Sequence, residues 1–456
     1  MTPAFIFDSL RSRVRTFRHA TAGNVILTFA LTTIPMVGFV GAAVDYSRGN
    51  SAKAAMQQAI DATGLILSRD AQSLSEAALK LKADQLFKTL INRPEIQNIV
   101  VTPVLYTPQE STFRLTVDAT GMVPTTFTKV IGKESLDLSV NTEIQWGVKK
   151  LELALGLDNT GSMGSSNKMV ELKKALLNVK GQSGATADGL LETLRKAAKK
   201  AGDIKISIIP FDTTVKVGTS YKNDTWLDWT EAFGTCNKSS LTSPKTKTRC
   251  EAISGGVWTK DTNKNNWNGC VIDRNQNNDV ADTLPDSNMA TQFPATKECT
   301  GSGGLAQALP LTDIWGTGYQ TLVDKVNSMQ PNGNTNVTIG LAWAWHSLTS
   351  SLPFPEGTDP KPDTDKVIIL LTDGDNTQNR WSTTPTTIDA RTTAACANVK
   401  LANIKVYTIR VIDGNATLLQ SCATKPEMYY NVSQAAQLNP VFAAIAQSLA
   451  NLRIAK

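Results

Sequence analysis

The chain has 456 residues, too many for one ordinary core, and at ~100 to 200 residues per domain it allows two or three folded units. Its hydrophobic content of 41% is enough to fold them. The 46 Lys and Arg residues exceed the 40 Asp and Glu residues by six, but these charges are spread along the chain apart from one basic cluster near the start. Composition therefore gives no indication of a nucleic-acid partner.

The N-terminal region predicts a membrane anchor. Residues 25–44 carry no charge over 20 positions, which matches the ~20 residues that a helix needs to cross the hydrocarbon core. Residues 1–24 form a basic tail that contains Arg11, Arg13, Arg15 and Arg18. Because positive charges favour the cytoplasmic side, we expect the tail in the cytoplasm and everything after Val44 exported. A cleaved signal peptide is the alternative; small residues at the end of the span favour it, and the long leader opposes it.

Residues 45–150 change their periodicity part-way. Up to about residue 92, apolar residues recur at helical spacing, which predicts one long helix or two shorter ones. Apolar and polar residues then alternate in two segments, which predicts a small antiparallel sheet. The alternating apolar residues are Phe113, Leu115, Val117, Leu136, Leu138, Val140, Ile144 and Trp146. A membrane helix that continues into an exported helix packed on a sheet is a pilin-like arrangement.

Predicted strands and helices alternate over residues 151–456, which is typical of a doubly wound α/β fold with a parallel sheet. The predicted strands are residues 151–157, 204–208, 367–371 and 404–411. The third is continuously apolar, as in a central strand buried on both faces. At about residues 213–314 the pattern is interrupted by a segment rich in Asn, Thr, Lys and Gly, which we interpret as an insertion.

The six cysteines form an even set in the second half of the chain, which favours disulfides in an oxidising compartment. With only two histidines, a zinc site would need widely spaced thiols. Cys396 and Cys422 flank one predicted strand, and we expect them to form a bridge. The other four are expected to hold the insertion as a small irregular lobe, and their three possible pairings stay open. They are Cys236, Cys250, Cys270 and Cys299.

The strongest local pattern is Asp158-Asn159-Thr160-Gly161-Ser162-Met163, between a predicted strand and a predicted helix. It supplies one carboxylate and two hydroxyls on a tight loop, in which the glycine permits a sharp turn. Thr335 and Asp373 belong to loops that converge on the same edge of a parallel sheet. Such oxygen ligands suit a hard divalent cation, Mg2+ or alternatively Mn2+ or Ca2+. The predicted metal ligands are Asp158, Thr160, Ser162, Thr335 and Asp373.

The segments DNTGSM, TNVTIGLAWAW and LLTDGDNTQNRW resemble the von Willebrand factor type A family and its metal-ion-dependent adhesion site, over roughly residues 151–456 less the insertion. The family pattern Asp-x-Ser-x-Ser, a Thr and a distal Asp maps onto the same five residues. Thr160 replaces the first Ser of the pattern and retains the hydroxyl. The resemblance implies that the metal keeps one position open for an Asp or Glu of a partner, and that Asp373 acts mainly through a water.

The segment RHATAGNVILTFALTTIPMVGFVGAAVDYSR is similar to the start of TadE and TadG proteins of Flp (Tad) pilus assembly. TadG-like chains join such an anchor to an exported type A domain, which is the order of parts here. Pilin-like leaders carry Glu five residues after the cleaved Gly, but Thr28 stands at that offset from Gly23, so we expect an uncut anchor.

The two resemblances imply a single-pass protein of the bacterial inner membrane, with its bulk in the periplasm or cell envelope. They also imply a metal-dependent adhesion or assembly role. The implied partners are proteins of a pilus or secretion assembly, or a surface ligand.

Two other functions compete with adhesion. One is a scaffold in the cell envelope, in which the metal only stabilises the fold. The other is a serine hydrolase, because Ser162 lies in a near match to a nucleophile elbow. However, the only histidine after the span, His346, lies inside a predicted helix. We therefore predict that the protein is not an enzyme.

Residues 273–279 resemble the start of a calcium-binding EF-hand loop. Asn278 replaces the required Gly, and Leu284 stands where the bidentate Glu belongs, so we expect a solvated loop. Trp343 and Trp345 are expected to pack in the core rather than to form a ligand site.

Overall fold

The computed structural model describes residues 24–71, 74–106, 112–147, 149–299 and 304–452. The chain divides into two compact units, Met1–Gly147 and Val148–Lys456. Each has its own hydrophobic core, the first on a three-stranded sheet and the second on a ten-stranded sheet of described residues. Residues 1–23 of the predicted basic tail, with its arginines, lie outside the described residues.

The first unit is built on one long helix. Helix α1 (Asn24–Asp70) has 47 residues and continues through Pro35, and α2 (Glu76–Leu90) follows it. An antiparallel sheet then forms in the order β1 (Gln97–Tyr106), β2 (Thr112–Pro124) and β3 (Ser135–Gly147). The alternation of apolar and polar residues predicted β2 and β3, and the structure contains β1 in addition. The helix expected after the apolar segment 25–44 is therefore a direct continuation of that segment.

The two halves of α1 have different surroundings. In the second half, Met56, Ile60 and Leu67 are buried against the sheet, in a core with Leu115 and Val117. The first half is exposed, with Phe29 at 71% and Phe39 at 79%. Of the described helices, α1 is the one long and apolar enough to cross a membrane.

The second unit alternates strands and helices. Its elements in chain order are β4 (Lys150–Asp158), α3 (Lys168–Leu177), α4 (Leu190–Ala197), β5 (Ile204–Phe211), β6 (Val215–Lys216), β7 (Leu227–Ala232), β8 (Gly234–Cys236), α5 (Lys247–Glu251), β9 (Trp258–Lys260), β10 (Cys270–Val271), β11 (Phe293–Thr296), β12 (Leu309–Asp313), α6 (Gly318–Ser328), α7 (Val337–His346), β13 (Thr364–Thr372), α8 (Pro385–Leu401), β14 (Lys405–Val411), α9 (Ala416–Cys422), β15 (Tyr429–Val432) and α10 (Leu438–Leu452). Strands β8 and β9 pair with each other apart from the main sheet.

The centre of the main sheet is parallel and covered on both faces. Its strands lie in the order β15-β14-β13-β4-β5. One core contains apolar residues of α3, α4 and α10, and the other contains residues of α7, α8 and α9. Trp343 and Trp345 of α7 are 1% and 4% exposed, as expected for core residues. The predicted α/β fold is confirmed.

The insertion is not the separate irregular lobe that the sequence predicted. β12 pairs antiparallel with β5, and β6, β10, β11 and β7 extend the sheet in that order. Phe293 and Trp226 of the insertion pack on Trp343, with ring centroids 4.8 and 6.2 Å apart. The prediction was wrong because strands of two to six residues in a polar segment leave no readable period.

All six cysteines are paired. Cys396 of α8 is bonded to Cys422 of α9, with Cα atoms 5.1 Å apart, which is the bridge expected across β14. Within the insertion, the structure selects one of the three open pairings. The two bridges there are Cys236–Cys250 and Cys270–Cys299.

Candidate metal centre

Asp158 and Asp373 leave the sheet side by side. β4 and β13 pair in parallel with Leu157 opposite Leu371, so the residues that follow emerge at the same edge. Thr372, the last residue of β13, donates its hydroxyl to Asp158 Oδ2 at 2.6 Å. Asp158 and Asp373 are 0% and 1% exposed. The register of two adjacent strands thus places two buried carboxylates together.

Hydroxyl groups of the loop after β4 link these carboxylates. The backbone N–H of Thr160 donates to Asp158 Oδ1 at 2.8 Å, and Thr160 Oγ1 lies 3.0 Å from Ser162 Oγ. Ser162 Oγ donates to Asp373 Oδ1 at 2.6 Å. Because Ser162 is exposed, this group of oxygens opens to solvent on its side.

Thr335 reaches the same place from the loop before α7. A Cβ atom on Gly374 would lie 3.5 Å from Thr335 Oγ1 and 3.6 Å from Ser162 Oγ, so both hydroxyls border one small space. Thr377 holds the Thr335 backbone: Thr335 N donates to Thr377 Oγ1 at 2.8 Å, and Thr377 N donates to Thr335 O at 2.9 Å. The structure therefore brings all five predicted ligands together.

The acidity of Asp158 is changed by its surroundings. Burial, and after it the charge of Asp373, raises the pKa of Asp158 to about 6. Hydrogen bonds from Thr160 and Thr372 act in the opposite direction by stabilising the ionised form. A cation beside the two carboxylates would remove the repulsion.

Lys168 is part of the site and was missed by the sequence analysis. It is the first residue of α3 and is 2% exposed. Its Nζ lies 2.8 Å from Asp373 Oδ2 and 3.5 Å from Asp413 Oδ2. No local pattern separates it from the other lysines of α3, since only the folded chain brings it to a residue 205 positions away.

The donor set fits a hard divalent cation. In the part of the chain that the structure describes, no group of three or more His, Cys, Asp and Glu side chains is placed to hold a metal, so hydroxyls must complete this site. Two carboxylates and three hydroxyls provide only oxygen, which Mg2+, Mn2+ and Ca2+ prefer. The five residues present therefore suit the group that the type A resemblance implies.

Residues 273–279 do not form the expected solvated loop. Asp273 and Asp279 are 3% and 4% exposed. Asn336 Nδ2 donates to both carboxylate oxygens of Asp273, at 2.9 and 3.0 Å, and the Arg380 backbone N–H donates at 3.1 Å. Arg391 Nε donates to Asp279 at 2.9 Å. These carboxylates are bonded to groups of the α/β core, so the stretch is a structural link.

The surroundings of Ser162 do not support a hydrolase. Its hydroxyl bonds to Thr160 and Asp373. His346 is buried, with Nε2 3.3 Å from an Arg274 guanidinium nitrogen. Burial and the charge of Arg274 lower the pKa of His346 well below its usual value. Among the described residues, no histidine is hydrogen-bonded to Ser162 to act as a base.

Two family models match the sequence. The von Willebrand factor type A domain matches residues 303–444, and the putative Flp pilus-assembly TadE/G-like family matches residues 23–66. The chain combines a TadE/G-like domain with a von Willebrand factor type A domain. The type A match contains Thr335 and Asp373, whereas the Asp158 loop precedes the insertion and lies outside it. β4, which leads into the Asp158 loop, pairs with β13 of the matched region in one sheet.

Several solved structures are similar to the chain. The pilus adhesin SpaC from Lactobacillus rhamnosus GG is 11% identical over 79% of this chain and 35% of its own, with a TM-score of 0.38. Proximal thread matrix protein 1 from the mussel byssus, described with a zinc-occupied MIDAS motif, is 12% identical over 66% of this chain and 48% of its own, with a TM-score of 0.32. A von Willebrand factor type A protein from Catenulispora acidiphila is 12% identical over 78% of this chain and 50% of its own, with a TM-score of 0.31.

The chain thus spans at most half the length of these structures. A search of curated proteins finds no match. The TadE/G-like match, whose family is described as putative Flp pilus-assembly, coincides with the start of the apolar helix α1 and supports a membrane anchor there.

Proposed function

We propose that the chain is a membrane-anchored adhesion or assembly protein of a Flp (Tad) pilus system, and that it binds an acidic side chain of its partner through a divalent cation. The observation that carries the proposal is the hydrogen-bonded convergence of Asp158, Ser162 and Asp373 at the carboxyl ends of β4 and β13. Because Ser162 is exposed, a partner carboxylate has access to the site from solvent.

Each residue of the site has a distinct role in this proposal. Thr160, Ser162 and Thr335 would offer hydroxyl oxygens to Mg2+, or to Mn2+ or Ca2+, and Asp158 and Asp373 would supply the negative charge. The bound cation supplies an electrophilic centre for a carboxylate ligand. Thr372 and the Thr160 N–H hold the two oxygens of Asp158, which keeps that carboxylate oriented.

The location follows from the anchor. We propose that α1 crosses the bacterial inner membrane once, with the N-terminus in the cytoplasm and the bulk of the chain in the periplasm or cell envelope. The exposed apolar half of α1 and the TadE/G-like match support the anchor, and the arginines before residue 25 support its orientation. The partner is then a protein of the pilus or secretion assembly, or a surface ligand.

Thermal unfolding of the detergent-solubilised full chain tests the metal site. Because the cation binds the folded site, Mg2+ at ~100 times its dissociation constant should stabilise the chain by about 2.7 kcal/mol relative to chelator. Asp158→Ala should fold but lose this Mg2+-dependent shift. Asp373→Asn should reduce it less, if that residue acts through a water. Asp286→Asn, which neutralises a carboxylate bonded within the insertion, is the control and should retain the full shift.

Two results would change the assignment. If the wild type and Asp158→Ala show the same shift in Mg2+ and in Mn2+, these residues do not bind the metal. If Mg2+ stabilises the chain through Asp158 but the loaded protein does not bind immobilised Asp- or Glu-containing peptides, the metal serves fold stability and the scaffold role takes the place of adhesion.

The raised pKa of Asp158 makes metal binding pH-dependent. Below about pH 6 its carboxyl takes up a proton in the metal-free protein, so protons compete with the cation. The rise in melting temperature at subsaturating Mg2+ should therefore be smaller at about pH 5 than at about pH 7.5. An equal rise at both values would indicate that the carboxylate of Asp158 is not involved.

A further inference from the structure

The turn between β2 and β3 lies beside the end of the apolar part of α1. It contains one turn of 3-10 helix, Thr128–Ile131, which ends at Gly132. A Cβ atom on Gly41 would lie 2.5 Å from the Cβ of Phe127, so the turn can approach the helix this closely only because residue 41 has no side chain. Gly41 belongs to the uncharged segment 25–44.

Asp45 fixes this turn to the helix. Its buried carboxylate accepts hydrogen bonds from the backbone N–H groups of Thr126, Phe127 and Thr128 at 3.0, 2.9 and 2.8 Å. Arg48 Nη1 donates to Thr126 Oγ1 at 2.9 Å. Asp45 is the first charged residue after the apolar segment. The turn is therefore held at the level where the membrane span ends.

The turn presents large apolar side chains to its surroundings. Val130 is 88% exposed, Ile131 79% and Phe127 46%. Together they continue the exposed apolar surface of α1, where Val40 is 59% and Val44 42% exposed. An apolar surface that is continuous with a membrane span has the character of a lipid contact.

The neighbouring residues match the chemistry of a membrane surface. Lys129 and Lys133 are exposed on either side of the apolar pair, and Tyr46 is 67% exposed just after the span. Tyrosine favours the headgroup region, and lysine is attracted to anionic lipids. Gly41 precedes Asp45 by four residues, about 6 Å along the helix, within the ~5–10 Å depth at which interfacial elements bury apolar side chains.

We propose that the β2–β3 turn inserts Phe127, Val130 and Ile131 into the surface of the membrane that α1 spans, with Lys129 and Lys133 at anionic lipid headgroups. This inference rests on the proposed membrane anchor and not on the metal site. A second attachment point beside the helix would restrict the tilt and rotation of the first unit on the bilayer.

Spin labels on the full chain in vesicles of phosphatidylcholine and phosphatidylglycerol test the proposal. All six native cysteines are in disulfides, so single variants Val130→Cys, Leu65→Cys and Val37→Cys provide unique attachment sites. Leu65 is a matched control, because it is an apolar residue, 59% exposed, that lies on α1 24 positions beyond Gly41, about 36 Å along the helix. Val37, 57% exposed, reports on the span itself.

Oxygen concentrates in the hydrocarbon, whereas a water-soluble nickel chelate stays in the aqueous phase. The ratio of the collision rate with oxygen to the collision rate with the chelate should therefore be several-fold higher for the label at residue 130 than for the label at residue 65. Replacing both Lys129 and Lys133 by Glu should reduce this preference in the anionic vesicles and leave it unchanged in purely phosphatidylcholine vesicles.

Three results would overturn the proposal, and they are distinguishable. A label that collides mainly with oxygen has a lipid profile, and one that collides mainly with the chelate has a water profile. A lipid profile at residue 37 with a water profile at residue 130 would reject the insertion of the turn and retain the anchor. A water profile at residue 37 would reject both. Protection of residue 130 from both reagents would show that protein, such as a second copy of the chain, covers the turn instead of lipid.

Discussion

Lys168 places a fixed positive charge beside the candidate metal site. Its ammonium group is 2.8 Å from Asp373, and both side chains are almost fully buried. In the metal-free protein this charge compensates one of the two carboxylates, which limits the cost of burying them. When a cation binds nearby, the same charge repels it. The residue therefore sets a balance between the stability of the metal-free fold and the affinity for metal.

Lys168→Met should increase the Mg2+ affinity roughly tenfold, equivalent to about 1.4 kcal/mol, because it removes the repulsion. It should also lower the melting temperature in chelator, since Asp373 loses its ion pair. Lys174→Met is the matched control on the same helix, since Lys174 is 52% exposed and pairs with Glu171. Isothermal titration calorimetry measures both affinities. A weaker affinity in Lys168→Met would show that the lysine supports the metal-bound site rather than opposing the cation.

At the scale of elements, Asp273 connects the insertion to the loops that carry the metal ligands. It follows β10 and accepts both hydrogen bonds from Asn336. Asn336 follows Thr335 directly, and its Oδ1 caps α7 by accepting from Ile339 N at 3.4 Å. Asp273 also accepts from the backbone of Arg380, in the segment after β13. The insertion thereby positions two of the three loops of the site.

Asp273→Asn should lower the free energy of unfolding by about 1 to 3 kcal/mol, because an amide has one acceptor oxygen and a buried donor loses its partner. It should also weaken Mg2+ binding several-fold by loosening Thr335. Urea unfolding and calorimetry measure the two effects, with Asp286→Asn as the control within the insertion. Reduced stability with an unchanged Mg2+ affinity would show that Asp273 holds the insertion but does not position the metal ligand.

For the whole molecule, the orientation of the anchor decides which compartment the type A domain enters. An alkaline phosphatase reporter fused after Lys456 should be active, because the basic tail favours the cytoplasm and the rest of the chain follows the span out of it. A β-galactosidase reporter fused at the same position, which is active only in the cytoplasm, should be inactive. An active β-galactosidase fusion together with an inactive alkaline phosphatase fusion would reverse the orientation. Three disulfides agree with an oxidising compartment for the second unit.

The sequence by itself determined the features that are written in local patterns. The uncharged segment 25–44 predicted a span, and α1 contains it. Residues 151–157, which are apolar except for Glu152, and the continuously apolar residues 367–371 predicted β4 and β13, because a strand buried on both faces is mostly apolar. The alternation of strands with helices implied a parallel sheet. The DNTGSM segment directly follows a predicted strand, so its ligands were expected at the end of that strand.

Only the tertiary structure decided how the insertion folds and what surrounds the metal ligands. β6 and β10 have two residues each, so their pairing within the extended sheet depends on backbone hydrogen bonds that leave no period in the sequence. The same is true of Lys168 and Asp273, whose partners lie 205 and 63 positions away. A buried charge needs a partner because an uncompensated charge is too costly in the interior, and only the complete fold brings that partner to it.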